Sequence, residues 1–492
     1  MNPLTANVIT APAAELRTEI AVIGSGPGGA ITAALLAEAG REVLLVEQGP
    51  LLPLDSCAPF SAQEMVQKYR NGGITVALGR TKVAYVEGCC VGGGSEINSG
   101  FAHRLPPEIL HQWRQRYRVE CLTESDLQPH FGACGRDVCV SYLPGPAPAA
   151  SVKLKQGAER LSWKSRETPR WIRYPSPAST QAPPEGRRQS MTETYVPRLL
   201  AAGGRLLPET RARRVFRQGG RWQIQTEHLA GGKPGGRITI AAQTVFVSCG
   251  AIHTAALLRR SGITRNVGDS LRMHPTVKVV ARFPEEVNAL GMGVPVHQVH
   301  EFFPRFSFGC SISSPPYLAL AMADHPQHAR QLHRQWRQMA VYYAMIRGGR
   351  GSVRNVAGFR DPLVRFELAP EDFRELAEAL RNLCRCLLAA GAVALYPPIP
   401  GLGPWTAESD LSQLPASLPS GKTNLMTIHL LSTCPMGEHR RRCAADSFGK
   451  VHGIDEMYLA DGSLLCEPPG LNPQGAIMAL ARRNALRFLG GL

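Results

Sequence analysis

Gly24-Ser-Gly26-Pro-Gly-Gly29 is a G-x-G-x-x-G run, and the chemistry it serves is the holding of a pyrophosphate. In such a run Gly24 permits a tight turn, Gly26 lets backbone approach the phosphates, and Gly29 allows a helix to pack on a strand. The start of the following helix offers unpaired N–H groups and the positive end of its dipole. Glu47 stands 23 residues after Gly24 (47 − 24), where an acid accepts hydrogen bonds from the adenosine ribose. Further on, Val91-Gly-Gly-Gly-Ser-Glu-Ile-Asn-Ser-Gly100 is a loop with almost no side-chain bulk, suited to close approach of a flat or charged ligand. Glycines without a ligand are the plain alternative to either reading. The glycine pattern alone does not separate one dinucleotide from another.

The elements that must position these residues are legible around them. Glu19 to Gly24 reads as an apolar strand, Pro27 to Ala39 as an Ala/Leu-rich helix stopped by Gly40, and Val43 to Glu47 as a second buried strand. That is a βαβ opening, preceded by residues 1–17 as a loose arm. A short helix is expected at Gln63–Tyr69 with a turn at Gly72-Gly73. Helical structure is expected over 106–140, with Trp113, Tyr117 and Leu127 in the core. Residues 141–189 carry eight prolines among Ser, Ala and Arg and read as irregular surface structure. Helix is expected at Ser190–Leu200, strands at Arg205–Leu207 and Val215–Thr226, and a buried strand Thr244–Cys249 running into a helix at Ala251–Arg260. Strand-like runs follow at Val277–Phe283 and Met339–Ile346, and an amphipathic helix at Pro370–Ala390.

A length of 492 residues suggests two or three domains. No run of 18 apolar residues suggests a membrane span, and the first 18 residues lack the features of a secretory signal, so a cytoplasmic location is expected. The formal charge of +16 is carried mostly by scattered Arg residues, which fits a solvated basic surface. No nucleic-acid motif accompanies it. Clusters such as Arg211-Ala-Arg-Arg214 and Arg440-Arg-Arg442 leave peripheral contact with a membrane open. None of the thirteen cysteines has the C-x-x-C spacing of a zinc site, so no metal is expected and buried thiols are.

Four segments together resemble the glucose–methanol–choline oxidoreductases, particularly the cholesterol oxidase and long-chain alcohol oxidase branches. They are Gly24–Glu47; Gly88-Cys-Cys-Val-Gly-Gly-Gly-Ser-Glu-Ile-Asn98; Val267-Gly-Asp-Ser-Leu-Arg-Met-His-Pro275; and His429 through Ala481. The resemblance implies an α/β fold: a Rossmann-like FAD-binding domain with a discontinuous α+β substrate domain. The FAD parts would be 1–105, 186–278 and 421–492, and the substrate parts 106–185 and 279–420. It implies that Gly93, Gly94 and Asn98 line the flavin and pyrophosphate and that Ala212 meets the adenine. Asp461 and Gly462 would reach the pyrophosphate–ribitol region, and Asn472, Pro473 and Gln474 would open the last helix beside the ring. Asn472 reads as the N-cap of that helix and Pro473 as its first-turn residue. Some relatives tether FAD through a His where this chain has Ile97, so a non-covalent FAD is expected. Residues 170–188 hold no cysteine, so an iron–sulfur cluster is not expected there.

His429-Leu-Leu-Ser-Thr-Cys-Pro-Met-Gly437 resembles the family's H-P-x-G-T-C-x-M-G segment, with Leu430 for Pro and Ser432 for Gly. By that register His429 is the catalytic histidine, and Asn472, 43 residues on (472 − 429), its partner. The implied reaction is oxidation of an alcohol, with His429 taking or relaying the hydroxyl proton, Asn472 orienting the oxygen, and hydride passing to the flavin. Phe302, Phe303, Phe306, Phe308, Tyr317, Tyr342 and Tyr343 are candidates to wall an apolar pocket, favouring a medium or large apolar alcohol. Oxygen, a quinone or a protein remain open as electron acceptor. A lyase or light-driven decarboxylase of the same family is the rival activity, and a flavin-bearing interaction protein without turnover the other.

Overall fold

The computed structural model describes residues 6–175, 186–231 and 233–490. Its first layer grows from the expected opening. Strand β1 (Glu15–Ile23) turns at Gly24 into helix α1 (Pro27–Glu38), which returns to β2 (Val43–Val46). The chain then adds β3 (Arg205–Leu207), a hairpin of β4 (Thr210–Gln218) and β5 (Arg221–Ala230), and the long β6 (Lys233–Val247), followed by helix α2 (Gly250–Arg260). The sheet order is β4-β5-β6-β1-β2-β3, with Met457–Leu459 pairing beside β6. β1 lies parallel to both β2 and β6, and every residue of β2 is buried, as a parallel strand covered on both faces requires.

The second layer is a nine-stranded, mainly antiparallel sheet. At its centre β7 (Thr276–Arg282) pairs with β8 (Met339–Ile346) and, at Thr276, with Met426 of the strand Leu425–Thr427. Short strands at Thr75–Ala77, Val83–Tyr85, Ser165–Glu167, His297–Val299 and Phe306–Cys310 complete its row. Helix α3 (Pro370–Ala389) and the helix Ala149–Arg160 cover its back. Thr276, Lys278, Tyr343 and Met345 face the front, toward the first layer. The last helix, α4 (Gln474–Phe488), packs on α1.

Several expectations change. The arm is not loose from residue 6 onward. Ile9 donates to the Leu206 carbonyl at 2.8 Å, and β1 starts at Glu15 because β6 reaches back to Thr239 as its partner. The run Val215–Thr226 is not one strand: Gly219 and Gly220, both at positive φ, turn it into the β4–β5 hairpin. The segment 141–189 is not mere surface. Ala150, Leu154 and Ala158 are fully buried, and a Cβ on Gly157 would lie 2.1 Å from the Cys386 carbonyl oxygen. Pro144, Pro146 and Pro148 lead into that helix, whereas Pro177, Pro183 and Pro184 lie outside the described residues. β7 spans the 278/279 position, and the strands at 75–85 belong to the second sheet. Among the described residues no helix is long and apolar enough to cross a membrane, and all thirteen cysteines are free thiols.

Candidate active site

Two joined cavities run between the layers. The first, about 220 Å³, follows the ends of β1 and β2. Gly24 leaves β1 at φ +103°, and a Cβ there would sit 2.2 Å from the Ser248 carbonyl oxygen. A Cβ on Gly28 would lie 1.6 Å from the Ala460 carbonyl oxygen, and one on Gly29 1.9 Å from that of Gly24. These three glycines bring helix and strand together, and Gly29 packs without lining the cavity. Gly26 differs: a Cβ there meets nothing within 4 Å, so its backbone borders open space. Glu47 is 9 % exposed on the same wall. Its Oε2 accepts from Ser25 N–H (3.0 Å) and hydroxyl (2.7 Å), and its Oε1 from Gly49 N–H (2.8 Å).

Gly93, Ala212 and Gly462 line this cavity too, Ala212 at a bulge in β4. Gly94 stands on both cavities, and a Cβ there meets nothing within 4 Å. Asp461 is used structurally as well. Its Oδ2 accepts from Gly250 N–H at 2.9 Å and from the Thr254 hydroxyl, its Oδ1 from Ser463 N–H at 2.8 Å, and burial raises its pKa. An acid at a strand end, glycines with open space above them and a helix N-terminus form a donor set and a shape that fit the adenosine–pyrophosphate half of a dinucleotide.

The second cavity, about 290 Å³, continues from the first past Pro27, Gly88, Gly94, Leu430 and Ile477. His429, Asn472, Pro473, Gln474 and Asn98 all stand on its wall. His429 Nε2 lies 3.2 Å from Asn472 Nδ2, so residues far apart in the chain converge on one point. Asn472 Oδ1 accepts from Gln298 Nε2 at 3.3 Å, and the same nitrogen donates to the Tyr343 hydroxyl at 2.8 Å. Asn98 donates from Nδ2 to Gln474 Oε1 and accepts at Oδ1 from Gly100 N–H at 2.9 Å. Asn472 is not the cap it reads as: Pro473 occupies that position without a side-chain bond, and the Asn472 carboxamide is turned sideways to His429 and Gln298.

The local turn explains how His429 is delivered. Ser432 adopts φ +67°, a conformation glycine takes freely, so the turn survives the replacement of glycine at a cost of ~1 kcal/mol. It lets Leu430–Leu431 pair with Arg272–Met273, and that pairing sets His274 against His429, with the two Nδ1 atoms 2.9 Å apart.

Models of the GMC oxidoreductases match residues 65–276 and 348–481, and that of an NAD(P)-binding Rossmann-like domain matches 22–52. An uncharacterized GMC-type oxidoreductase of Sinorhizobium fredii is 42 % identical over 96 % of this chain and 94 % of its own. The chain belongs to the GMC oxidoreductase family. A long-chain-alcohol oxidase of Arabidopsis thaliana is 24 % identical over 96 % of this chain and 68 % of its own. Among solved structures, pyridoxine 4-oxidase from Mesorbium loti superposes with a TM-score of 0.73 at 18 % identity, covering 96 % of this chain and 99 % of that one. Formate oxidase gives 0.73 at 14 %, covering 96 % and 98 %. These likenesses agree with the fold of this GMC oxidoreductase.

The hydrogen bonds around the pair decide where its protons sit. Burial lowers His429 to about 3 and holds His274 well below its usual value, so both rings are neutral and share two protons. Gly470 N–H donates to His274 Nε2 at 2.9 Å, and a backbone donor cannot turn round. His274 therefore carries its proton on Nδ1 and donates it to His429 Nδ1, which leaves the proton of His429 on Nε2, facing the cavity. A half-turn of the Asn472 carboxamide brings its oxygen to that N–H, and a matching half-turn of Gln298 lets the Gln298 oxygen accept from Asn472 Nδ2 and from the Tyr343 hydroxyl. The network thus presents His429 to the cavity as a donor at rest, where the resemblance implies a group that takes or relays the hydroxyl proton.

His274 and Gln298 were not singled out from sequence, although His274 lies within the Met-His-Pro stretch that carries the resemblance. The aromatic wall is thinner than expected. Tyr317 and Tyr343 line the cavity, whereas Phe302, Phe306 and Phe308 stack on one another and on Trp163 in the core. Phe303 packs beside Gly470, and the Tyr342 hydroxyl donates to the Ala150 carbonyl at 2.8 Å. The remaining walls are apolar, among them Phe101, Trp171, Met345 and Met426.

Buried histidines also set an acid limit. Burial first of all lowers His103 to about 3, His300 to about 4 and His429 to about 3. Below the ordinary value of 6.5 the unfolded chain takes up these protons while the folded chain does not. Their contribution to stability is thus intact above 6.5 and is lost as pH falls toward these depressed values. Glu96 and Asp461, raised by burial, act in the opposite sense, so the histidine effect is read as a difference. Thermal melts from pH ~7 to ~5 are expected to fall less steeply in His300→Phe than in the parent. Parallel slopes would contradict this.

Proposed function

We propose that this GMC oxidoreductase oxidises an alcohol, R2CH–OH, to the carbonyl compound by loss of a hydride from carbon and a proton from oxygen. FAD, when bound across the two cavities, supplies the two-electron acceptor for that hydride. The observation that carries the reading is the convergence of His429 Nε2 and the Asn472 carboxamide, 3.2 Å apart, where the nucleotide-shaped cavity opens into the apolar one. The long-chain-alcohol oxidases among its relatives support the same class of reaction.

In this reading the alcohol oxygen accepts a hydrogen bond from His429 Nε2–H while its own hydrogen points to the Asn472 oxygen. Two fixed partners hold the oxygen and so aim the carbon-bound hydrogen. The His429 N–H strengthens as the oxygen gains negative charge, which favours release of the hydroxyl proton to solvent as the carbonyl forms. His274 is a positioning residue that keeps this tautomer, and Gln298 and Tyr343 steady Asn472 from behind. Phe101, Trp171, Met345 and Met426 suit an alcohol with a medium or large apolar body.

Gly26, Glu47, Gly93, Gly94, Asn98, Ala212, Gly462 and Gln474 would hold the cofactor, and Ile97 offers no atom for a covalent bond to it. Acid precipitation of the holoprotein is therefore expected to leave the yellow colour in the supernatant; a coloured pellet would refute non-covalent binding. The activity is tested by mixing the holoprotein anaerobically with an alcohol panel. Bleaching of the flavin band supports the reading, and a panel that leaves the band untouched removes it.

A further inference from the structure

The apolar cavity contains one charge that no described residue answers. Lys278 lies on β7, and its side chain opens onto the cavity that His429 and Asn472 share. It makes no hydrogen bond, ion pair or ring contact with any described residue, and it is the only Lys or Arg among the residues lining this space. The one acid on the wall, Glu87, is already engaged by Arg70 at 3.7 Å and His253 at 3.6 Å. Withdrawal from water pushes Lys278 down to about 8. Lys278 is half-buried on a mostly apolar wall, and a lone ammonium there is unfavourable unless a partner arrives to pair with it.

The backbone shows why the side chain points inward. Lys278 and Thr276 are two apart on one strand and share its front face, while Val277 and Val279 point into the core behind. Directly across the sheet, Lys278 faces Tyr343, whose hydroxyl is tied through Gln298 to Asn472. Lys278 stands four positions after His274 (278 − 274), so their Cα atoms are at most ~14 Å apart. The ammonium and the proposed reaction centre are within the span of one small molecule.

We propose that Lys278 is the specificity-determining anchor of this site, and that the alcohol the protein oxidises carries an anionic group, a carboxylate or a phosphate ester, that pairs with its ammonium. The substrate is then a hydroxy acid or an alcohol phosphate with an apolar body. This rests on the reading of the site as an alcohol oxidase or dehydrogenase centre and narrows its substrate class. The anion brings the missing counter-charge, and the apolar walls enclose the chain between the two ends. A charge-paired hydrogen bond in such an enclosure is worth ~10- to 100-fold in affinity.

The test uses the FAD-loaded protein with ω-hydroxyhexanoate, its methyl ester, hexanol and hexanediol monophosphate, reading flavin reduction anaerobically in the parent, Lys278→Met and Lys278→Arg. Binding of hexanoate and hexyl phosphate, which have no hydroxyl to oxidise, is measured separately by calorimetry. The parent is expected to favour an anionic alcohol over its neutral match by ~10-fold or more in kcat/KM, chiefly through KM. In Lys278→Met that ratio should collapse toward one, and Lys278→Arg should restore most of it. Preference for hydroxyhexanoate assigns the carboxylate, and preference for the monophosphate assigns the phosphate.

Equal use of anionic and neutral alcohols by the parent would overturn the proposal. So would equal losses on both in Lys278→Met, which would make Lys278 a group acting on the chemistry or the fold. If no alcohol is oxidised but hexanoate or hexyl phosphate binds the parent and not Lys278→Met, the anion site stands and the alcohol reading falls. If neither anion binds and neither alcohol class is preferred, the anchor falls.

Discussion

Replacing His429 by Ala is expected to slow flavin reduction by an alcohol ~10²–10⁴-fold while the protein keeps its FAD. The expectation follows from what His429 touches. Its Nε2 faces the cavity beside Asn472, and its only other ring partner among the described residues is His274. None of the glycines or acids that form the nucleotide cavity depends on it. The deleted ring leaves His274 Nδ1–H without its acceptor, so some loss of stability accompanies the loss of rate. Asn472→Ala should lose a comparable factor. The double variant should lose much less than the product of the two, because both residues hold one oxygen. His274→Phe provides the contrast: His429 stays but its tautomer is no longer dictated, so kcat should fall by less than in His429→Ala. Stopped-flow reduction of the bound flavin measures all four. Unchanged reduction in either single variant would show that the pair is not where the alcohol is held.

The second large effect separates two glycines two residues apart. Gly28→Ala places a Cβ 1.6 Å from the Ala460 carbonyl oxygen, backbone against backbone, with no side chain free to yield. Helix α1 must move off the strand Met457–Leu459 and its continuation, at a cost of at least ~3 kcal/mol, and the protein should emerge colourless and of low melting temperature. Gly26→Ala is sterically silent in the chain itself: φ is −61° and the added methyl meets nothing within 4 Å. That methyl enters the space assigned to the pyrophosphate. Gly26→Ala should thus fold with the melting temperature of the parent apoprotein and bind FAD far more weakly. Titration of the two apoproteins with FAD, beside their melts, checks this. Full FAD affinity in Gly26→Ala would place the pyrophosphate elsewhere.

The parts legible in the sequence are those whose cause is local. The βαβ opening follows from apolar runs punctuated by glycine, and α3 from apolar residues at helical spacing such as Phe373, Leu376, Leu380 and Leu387. Of the second sheet only the two long central strands, near Val277–Phe283 and at Met339–Ile346, were legible; strands of three residues such as Val83–Tyr85 and Ser165–Glu167 were not, because they have no periodicity of their own and are stabilised by distant partners. The same reason hid the helix Ala149–Arg160, where prolines in its approach masked residues that pack against α3.

At the site, His429 and Asn472 came from the resemblance, and their meeting is a tertiary fact that spacing cannot supply. Asn472 suits a helix cap, yet its carboxamide is drawn away by His429 and Gln298, a competition that local propensity does not contain. Phe302, Phe306 and Phe308 read as a pocket wall and instead stack on one another and on Trp163, since nothing in the chain order says which face of a short strand is buried. The lone lysine in Thr276-Val-Lys-Val-Val280 was, like His274, a signal overlooked: a charge within an otherwise apolar strand needs either solvent or a partner.

The most direct test of the account compares an alcohol that reduces the flavin with the same alcohol deuterated at its carbinol carbon, in anaerobic single turnovers of the parent and of Asn472→Ala. The account predicts slower bleaching with deuterium in the parent, because hydride leaves that carbon in the observed step, and a rate at least ~10²-fold lower in Asn472→Ala with the isotope effect retained. Bleaching at one rate for both isotopic forms, with the Asn472 variant as fast as the parent, would contradict hydride removal from an alcohol held between His429 and Asn472.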